Sequence, residues 1–139
     1  MKKFIVILFL LLITNSCYAF NGNIEQYINQ PYIGIPYEKA LQQELPFILM
    51  FVNPNQLVYF PKYLNIGEMV YNEFNGQYNF CIINAKKKEN KPLINAYNIK
   101  KYPVLILVNT QRQTYITVDK KDFNKKELRK ILVDFKNRT

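Results

Sequence analysis

The chain contains no histidine, and its two cysteines are Cys17 and Cys81. Without an imidazole there is no histidine general acid or base and no serine or cysteine triad of the usual kind. Most zinc sites are excluded for the same reason, and no metal or cofactor is expected. Glycine is scarce, at four residues. Long hydrophobic runs are also missing. The most extended runs from Phe4 to Ile13, ten residues, whereas a bilayer span needs about 20.

That apolar run has a different reading. Met1-Lys2-Lys3 precedes it, and Thr14-Asn15-Ser16-Cys17-Tyr18-Ala19 follows. A basic start, a short apolar core and a small-residue cleavage site make residues 1–19 a secretory signal peptide, cut after Ala19. The location implied is extracytoplasmic: periplasm, cell exterior or secretory lumen. A second reading is a lipoprotein anchored at Cys17, with Thr14 where such a signal wants leucine.

Removing 19 of 139 residues leaves 120, enough for one domain. Residues 20–31 read as a polar leader and 32–137 as the domain. No membrane span remains, and a monomer is expected. Cys81 is then the single cysteine, so no intramolecular disulfide forms, although the compartment permits one. Its place in an apolar strand reads as a buried thiol; the alternative is a one-cysteine enzyme or an intermolecular disulfide. Loss of Lys2 and Lys3 takes the net charge from +9 to +7. A composition rich in Lys, Asn, Ile and Tyr is what an A/T-rich genome encodes, so the charge alone does not argue for nucleic acid or membrane.

The chain is organised around Leu45 to Pro61, LPFILMFVNPNQLVYFP. Leu45 to Val52 is apolar on both faces, which predicts a central strand in a sheet covered by helices. Asn53-Pro54-Asn55 ends it. In sheets of this kind the loop after a central strand carries ligands and chemistry, so the site is expected over Pro54 to Phe60.

A short strand over Tyr32 to Ile35 and a helix over Tyr37 to Glu44, with Ala40 and Leu41 inward, are expected before it. After it comes a helix from about Val58–Phe60 to Phe74, with Tyr63, Ile66, Met69, Val70 and Phe74 on one face. Asn75-Gly76 stops that helix. Tyr78 to Asn84 is a second buried strand, joined to the first by a right-handed βαβ crossover. Pro92 opens a third helix, with Leu93, Ile94, Ala96 and Tyr97 as its apolar residues and Asn98 as its cap. Val104 to Val108 and a half-buried Gln113 to Val118 form a hairpin around Asn109 to Arg112. Asn124 caps a final helix, with Glu127 three residues on and Leu128, Ile131, Leu132 and Phe135 as its stripe.

On this order of elements the motifs resemble the thioredoxin family. Phe51-Val52-Asn53-Pro54-Asn55 is similar to Phe-Trp-Ala-Pro-Trp, which leads into Cys-Gly-Pro-Cys. Phe80 to Ala85 resembles the strand ending Val-Asn-Val-Asp. Tyr97-Asn98-Ile99-Lys100-Lys101-Tyr102-Pro103 resembles Tyr-Gly-Ile-Arg-Gly-Ile-Pro, whose last bond is cis in the family. The resemblance implies an α/β thioredoxin-like fold, a mixed central sheet with helices on both faces.

It also implies where the family's chemistry is missing. The degenerate redox positions are Gln56, Leu57, Val58 and Tyr59, with Gln56 and Tyr59 at the two cysteines. Met50 replaces the family's buried Asp, and Lys121 stands for the glycine before its last helix. Thiol–disulfide exchange needs a thiolate at this helix start, and no residue there supplies one.

In the family the residue before the cis proline offers its backbone to an extended peptide. The implied peptide-binding residues are Asn55, Gln56, Tyr59, Tyr102 and Pro103, with Phe60 and Tyr63 as possible extensions of the groove. The topology brings Lys86, Lys87, Lys88, Lys91, Lys100 and Lys101 to a basic rim at the same sheet end, unless they are simply codon-driven lysines of solvated loops. The expected function is a redox-inactive binding protein for a protein or peptide client, acidic in character. The alternative is a thiol oxidoreductase acting through Cys81 or a partner's thiols.

N-terminal sequencing of the exported protein is expected to begin at Phe20. A diacylated Cys17 at the terminus replaces that reading with the lipoprotein one.

Overall fold

A computed structural model describes residues 34–56 and 60–138, without the side chains of Phe60, Pro61 and Tyr63. The signal segment, the leader, and Leu57, Val58 and Tyr59 lie outside the described residues.

Strand β1 (Phe47–Val52) is buried at all six positions. Its sequence FILMFV gives neither face a polar side chain, so it is stable only with a strand on each edge and a layer on each side. It pairs in parallel with β2 (Asn79–Asn84) and antiparallel with β3 (Val104–Asn109). The edge strand β4 (Thr114–Val118) pairs antiparallel with β3, giving the order β2-β1-β3-β4.

Alternation along the strands divides the core into two layers. Ile48, Met50, Phe80, Ile82, Leu105 and Leu107 face one side. There they meet Ile66, Met69 and Val70 of α2 (Phe60–Glu73) and Leu128, Leu132 and Phe135 of α4 (Lys125–Asn137). Phe47, Leu49, Phe51, Cys81, Ile83 and Ile106 face the other side. That layer is closed by Ala40 of α1 (Tyr37–Ala40) and Ile94 of α3 (Lys91–Ala96). Tyr37 and Tyr97 set edge-on rings against Phe47 and Phe51.

Local chemistry fixes the helix ends. The Asn124 side chain accepts from the Glu127 amide at 3.0 Å, satisfying an orphan donor of α4. Gly76 takes φ +74° just after α2. Asn98 takes φ +52° after α3. The Ile99 amide donates to the Ile94 carbonyl and the Asn98 amide to Asn95, the Schellman arrangement. Two side-chain links join α4 to the rest of its layer. The Tyr78 hydroxyl donates to the Leu132 carbonyl at 2.5 Å, and Arg129 makes a two-pronged pair with Glu73.

Three expectations need correction. The first helix ends at Ala40 rather than Glu44, and Leu41 is 56% exposed instead of inward. After Ala40 the segment Gln42-Gln43-Glu44 offers no further apolar residue for a helical stripe, and the chain turns into β1. Gly34 and Ile35 are not in a strand. The Ile35 amide still donates to the Phe80 carbonyl at 2.8 Å, so the chain enters beside β2. A Cβ on Gly34 would stand 2.5 Å from that same carbonyl. Finally, β4 is not half-buried. Only Val118 is covered, because the helices lie over the inner strands and leave this edge strand bare.

Leu132→Ala is expected to destabilise the protein by about 2–5 kcal/mol, since it empties a fully buried site under the sheet. Glu73→Gln, at the exposed ion pair, leaves the denaturation midpoint nearly unchanged. Urea unfolding of the two variants checks that order.

Candidate functional site at the end of the central strand

The strand register defines one end of the sheet. Val52 stands opposite Asn84 and Phe51 opposite Val104. The exits of β1 and β2 and the entry to β3 therefore lie side by side, as the sequence predicts.

The β1 exit is a tight turn. The Gln56 amide donates to the Asn53 carbonyl at 2.9 Å, with Pro54 in the second turn position. The Asn53 side chain accepts from the Asn55 amide at 3.1 Å. Asn55 and Gln56 are exposed.

The β2 exit is built on Asn84, which is buried. Its side-chain oxygen accepts from the Lys86 amide at 2.9 Å, and its carbonyl accepts from the Asn90 side chain at 2.9 Å. The lysine-rich loop between them is thus folded back on neutral amides. Lys86, Lys88 and Lys91 are exposed. Lys87 is half-buried, with its ammonium 3.6 Å from Glu89.

The entry to β3 carries exposed Lys100 and Lys101, half-buried Tyr102 and buried Pro103. The Tyr102–Pro103 peptide is cis. The Lys120 ammonium donates to the Tyr102 carbonyl at 3.3 Å. Sequence reasoning missed this contact. The hairpin register holds the signal: Leu105 pairs with Val118, so Lys120 follows β4 where Pro103 precedes β3.

Among the described residues no thiol reaches this end of the sheet. Cys81 lies mid-strand in β2, 1% exposed, on the face toward α1 and α3. Burial, with a smaller contribution from Glu38, pushes its thiol up to about 12. A neutral thiol is a poor nucleophile. Met50, fully buried on the α2 face, supplies no acid. Among the described residues no cluster of three or more His, Cys, Asp or Glu could hold a metal ion.

A mixed sheet between two helical layers, with a cis proline beside the exit of the central strand, defines a domain of thioredoxin-like architecture. The family described as thioredoxin-like domain matches residues 24–134, and the chain belongs to it. Solved structures agree in fold. The Trx4 domain of ERdj5 is 15% identical, with a TM-score of 0.53, and the match covers 73% of this chain and 89% of that one. A thioredoxin from Thermus thermophilus is 12% identical, with a TM-score of 0.54 and coverages of 72% and 83%. A larger ERdj5 structure is 18% identical, with a TM-score of 0.53 over 68% of this chain; the match spans only 12% of the ERdj5 chain. No curated protein sequence matches the chain.

The buried acids give the protein an alkaline limit. The Cys81 thiol and the Tyr78 hydroxyl, with ordinary values of 9.0 and 10.0, are both raised to about 12, chiefly by burial. The unfolded chain therefore releases these protons first as pH rises. Their stabilisation is complete below pH 9.0 and is lost as pH climbs toward about 12. Thermal unfolding midpoints are expected to fall across that window, and Cys81→Ala to lessen the fall. A midpoint independent of pH there contradicts the assignment.

Proposed function

We propose that this is an exported, redox-inactive thioredoxin-like protein that holds an extended segment of a client or partner at the cis-proline end of its sheet. One observation carries the reading. The cis Tyr102–Pro103 peptide adjoins the turn after β1, while the family's redox cysteines correspond to Gln56 and Tyr59. The peptide-binding half of the site is retained and the thiol half is absent. The thiol-enzyme alternative draws no support from Cys81, buried in mid-strand.

The chemistry favours a segment with carboxylates around an apolar centre. Tyr102 offers backbone and ring, and Asn55 and Gln56 offer exposed amides. Lys86, Lys88, Lys100 and Lys101 supply exposed positive charge, and Lys120 sets an ammonium against the Tyr102 carbonyl. Exposed charges are screened over about 8–10 Å, so they raise the rate of encounter more than the lifetime of the complex. Export rests on the signal-like segment 1–19. Among the described residues no helix is long and apolar enough to cross a membrane.

Insulin reduction by dithiothreitol is expected to run at the uncatalysed rate with the protein present, and Cys81→Ser to change nothing. A faster rate abolished by Cys81→Ser refutes the redox-inactive reading. For binding, an acidic extended peptide is the probe. Tyr102→Ala weakens it at every salt concentration, whereas charge reversal at Lys87, Lys88 and Lys101 weakens it mainly at low salt. Cross-links mapping to Lys126–Lys130, with the Tyr102 variant binding normally, would move the site elsewhere.

A further inference from the structure

The outer edge of β4 has the properties of a second recognition surface, separate from the cis-proline end. Its sequence TYITV contains no charge, no proline and no glycine. β-branched and aromatic residues fit a pleated strand. Four of its five residues are exposed, Tyr115 by 52% and Ile116 by 42%. It pairs on one side with β3, and among the described residues no strand lies on the other. Alternate residues therefore direct N–H and C=O groups away from the sheet. Natural edge strands are commonly blunted by charges, proline or bulges, and β4 carries neither charge nor proline.

A groove runs beside this edge. Its volume is about 400 Å³. Ile116 lines it from β4, and Ile131 and Phe135 from α4, with Arg112, Arg138 and Asp134 also on its walls. Arg112 is oriented by donating to the Arg138 carbonyl at 2.7 Å. Thr114 pairs with Asn109 and Val108 with Phe47, so the groove lies at the sheet end opposite Tyr102.

We propose that β4 takes up an extended segment of another protein by strand addition, with an apolar side chain in the groove and a carboxylate at Arg112 and Arg138. Backbone hydrogen bonds supply affinity, and alternate side chains supply selectivity. Two cations against one carboxylate select an acidic segment. A second copy of this chain fits poorly. Antiparallel pairing of two β4 strands about Ile116 sets Arg112 of one copy against Lys120 of the other, and each chain is net positive, +7 without residues 1–19.

The probe is a synthetic octapeptide of alternating threonine and valine ending in two aspartates, added to the full chain. Amide NMR is expected to show shifts and slowed exchange at the outward amides of Thr114 to Val118. Replacing the aspartates by lysines, or Arg112→Glu in the protein, weakens binding about fivefold at low salt. Methylating alternate peptide nitrogens abolishes binding, as does Ile116→Lys. Tyr102→Ala leaves the shifts and slowed exchange at Thr114 to Val118 unchanged, which separates this surface from the cis-proline site. Shifts confined to Gln56 and Tyr102, full binding by the methylated peptide, or no binding of the aspartate peptide overturns the proposal. So does protection of the outward amides without peptide, whether in a dimer or in a monomer whose own chain covers the edge.

Discussion

β1 has no face turned to water, and the rest of the fold follows from that. Its six side chains alternate between two apolar layers, so each layer needs helices of its own. Phe47, Leu49 and Phe51 bring α1 and α3 to one side. Ile48, Met50 and Val52 bring α2 and α4 to the other. Its backbone needs a neighbour on both edges, which β2 and β3 supply in opposite senses. Their opposite directions place the exit of β2 and the entry of β3 beside the exit of β1. The location of the candidate site is thus a consequence of burying one strand.

Much of this was legible because the relevant signals are local. β1, β2 and β3 are apolar on both faces, which few structures other than a covered sheet accommodate. Asn124 with Glu127 marks the start of α4, and Asn98 at positive φ marks the end of α3. Met50 and Cys81 also lie where the pattern puts them, in opposite layers. What was not legible depends on coverage and on partners distant in sequence. Leu41 looks inward in a helical stripe, but the helix stops before the stripe can form. Gln113 to Val118 alternates as a half-buried strand should, yet nothing in its sequence says how far the helices extend over it. The Lys120 contact with the Tyr102 carbonyl appears only once the hairpin register is known. The groove between β4 and α4 joins residues 112 and 138, and no motif spans them.

The site reads differently from that of a thiol enzyme at each level. The strand that leads to it delivers asparagine, proline and glutamine rather than cysteine. The core beneath supplies methionine where proton transfer needs an acid. The one thiol of the domain is held protonated by burial. What persists is backbone: a turn, a cis peptide and strand ends presented together. Those features are the ones on which the proposed recognition of an extended segment rests, and a fold need not keep its chemistry to keep its geometry.

The Asn84 clasp carries a further consequence. The loop bearing Lys86, Lys87 and Lys88 takes its shape from two carboxamides, Asn84 and Asn90, and from main-chain groups. None of these gains or loses a proton over the pH range in which the protein folds, and none is an ion whose hold depends on counterions. Apart from the Lys87–Glu89 pair, the form of the loop is therefore decoupled from its charge. Salt can screen the field around the lysines while the scaffold that spaces them stays put.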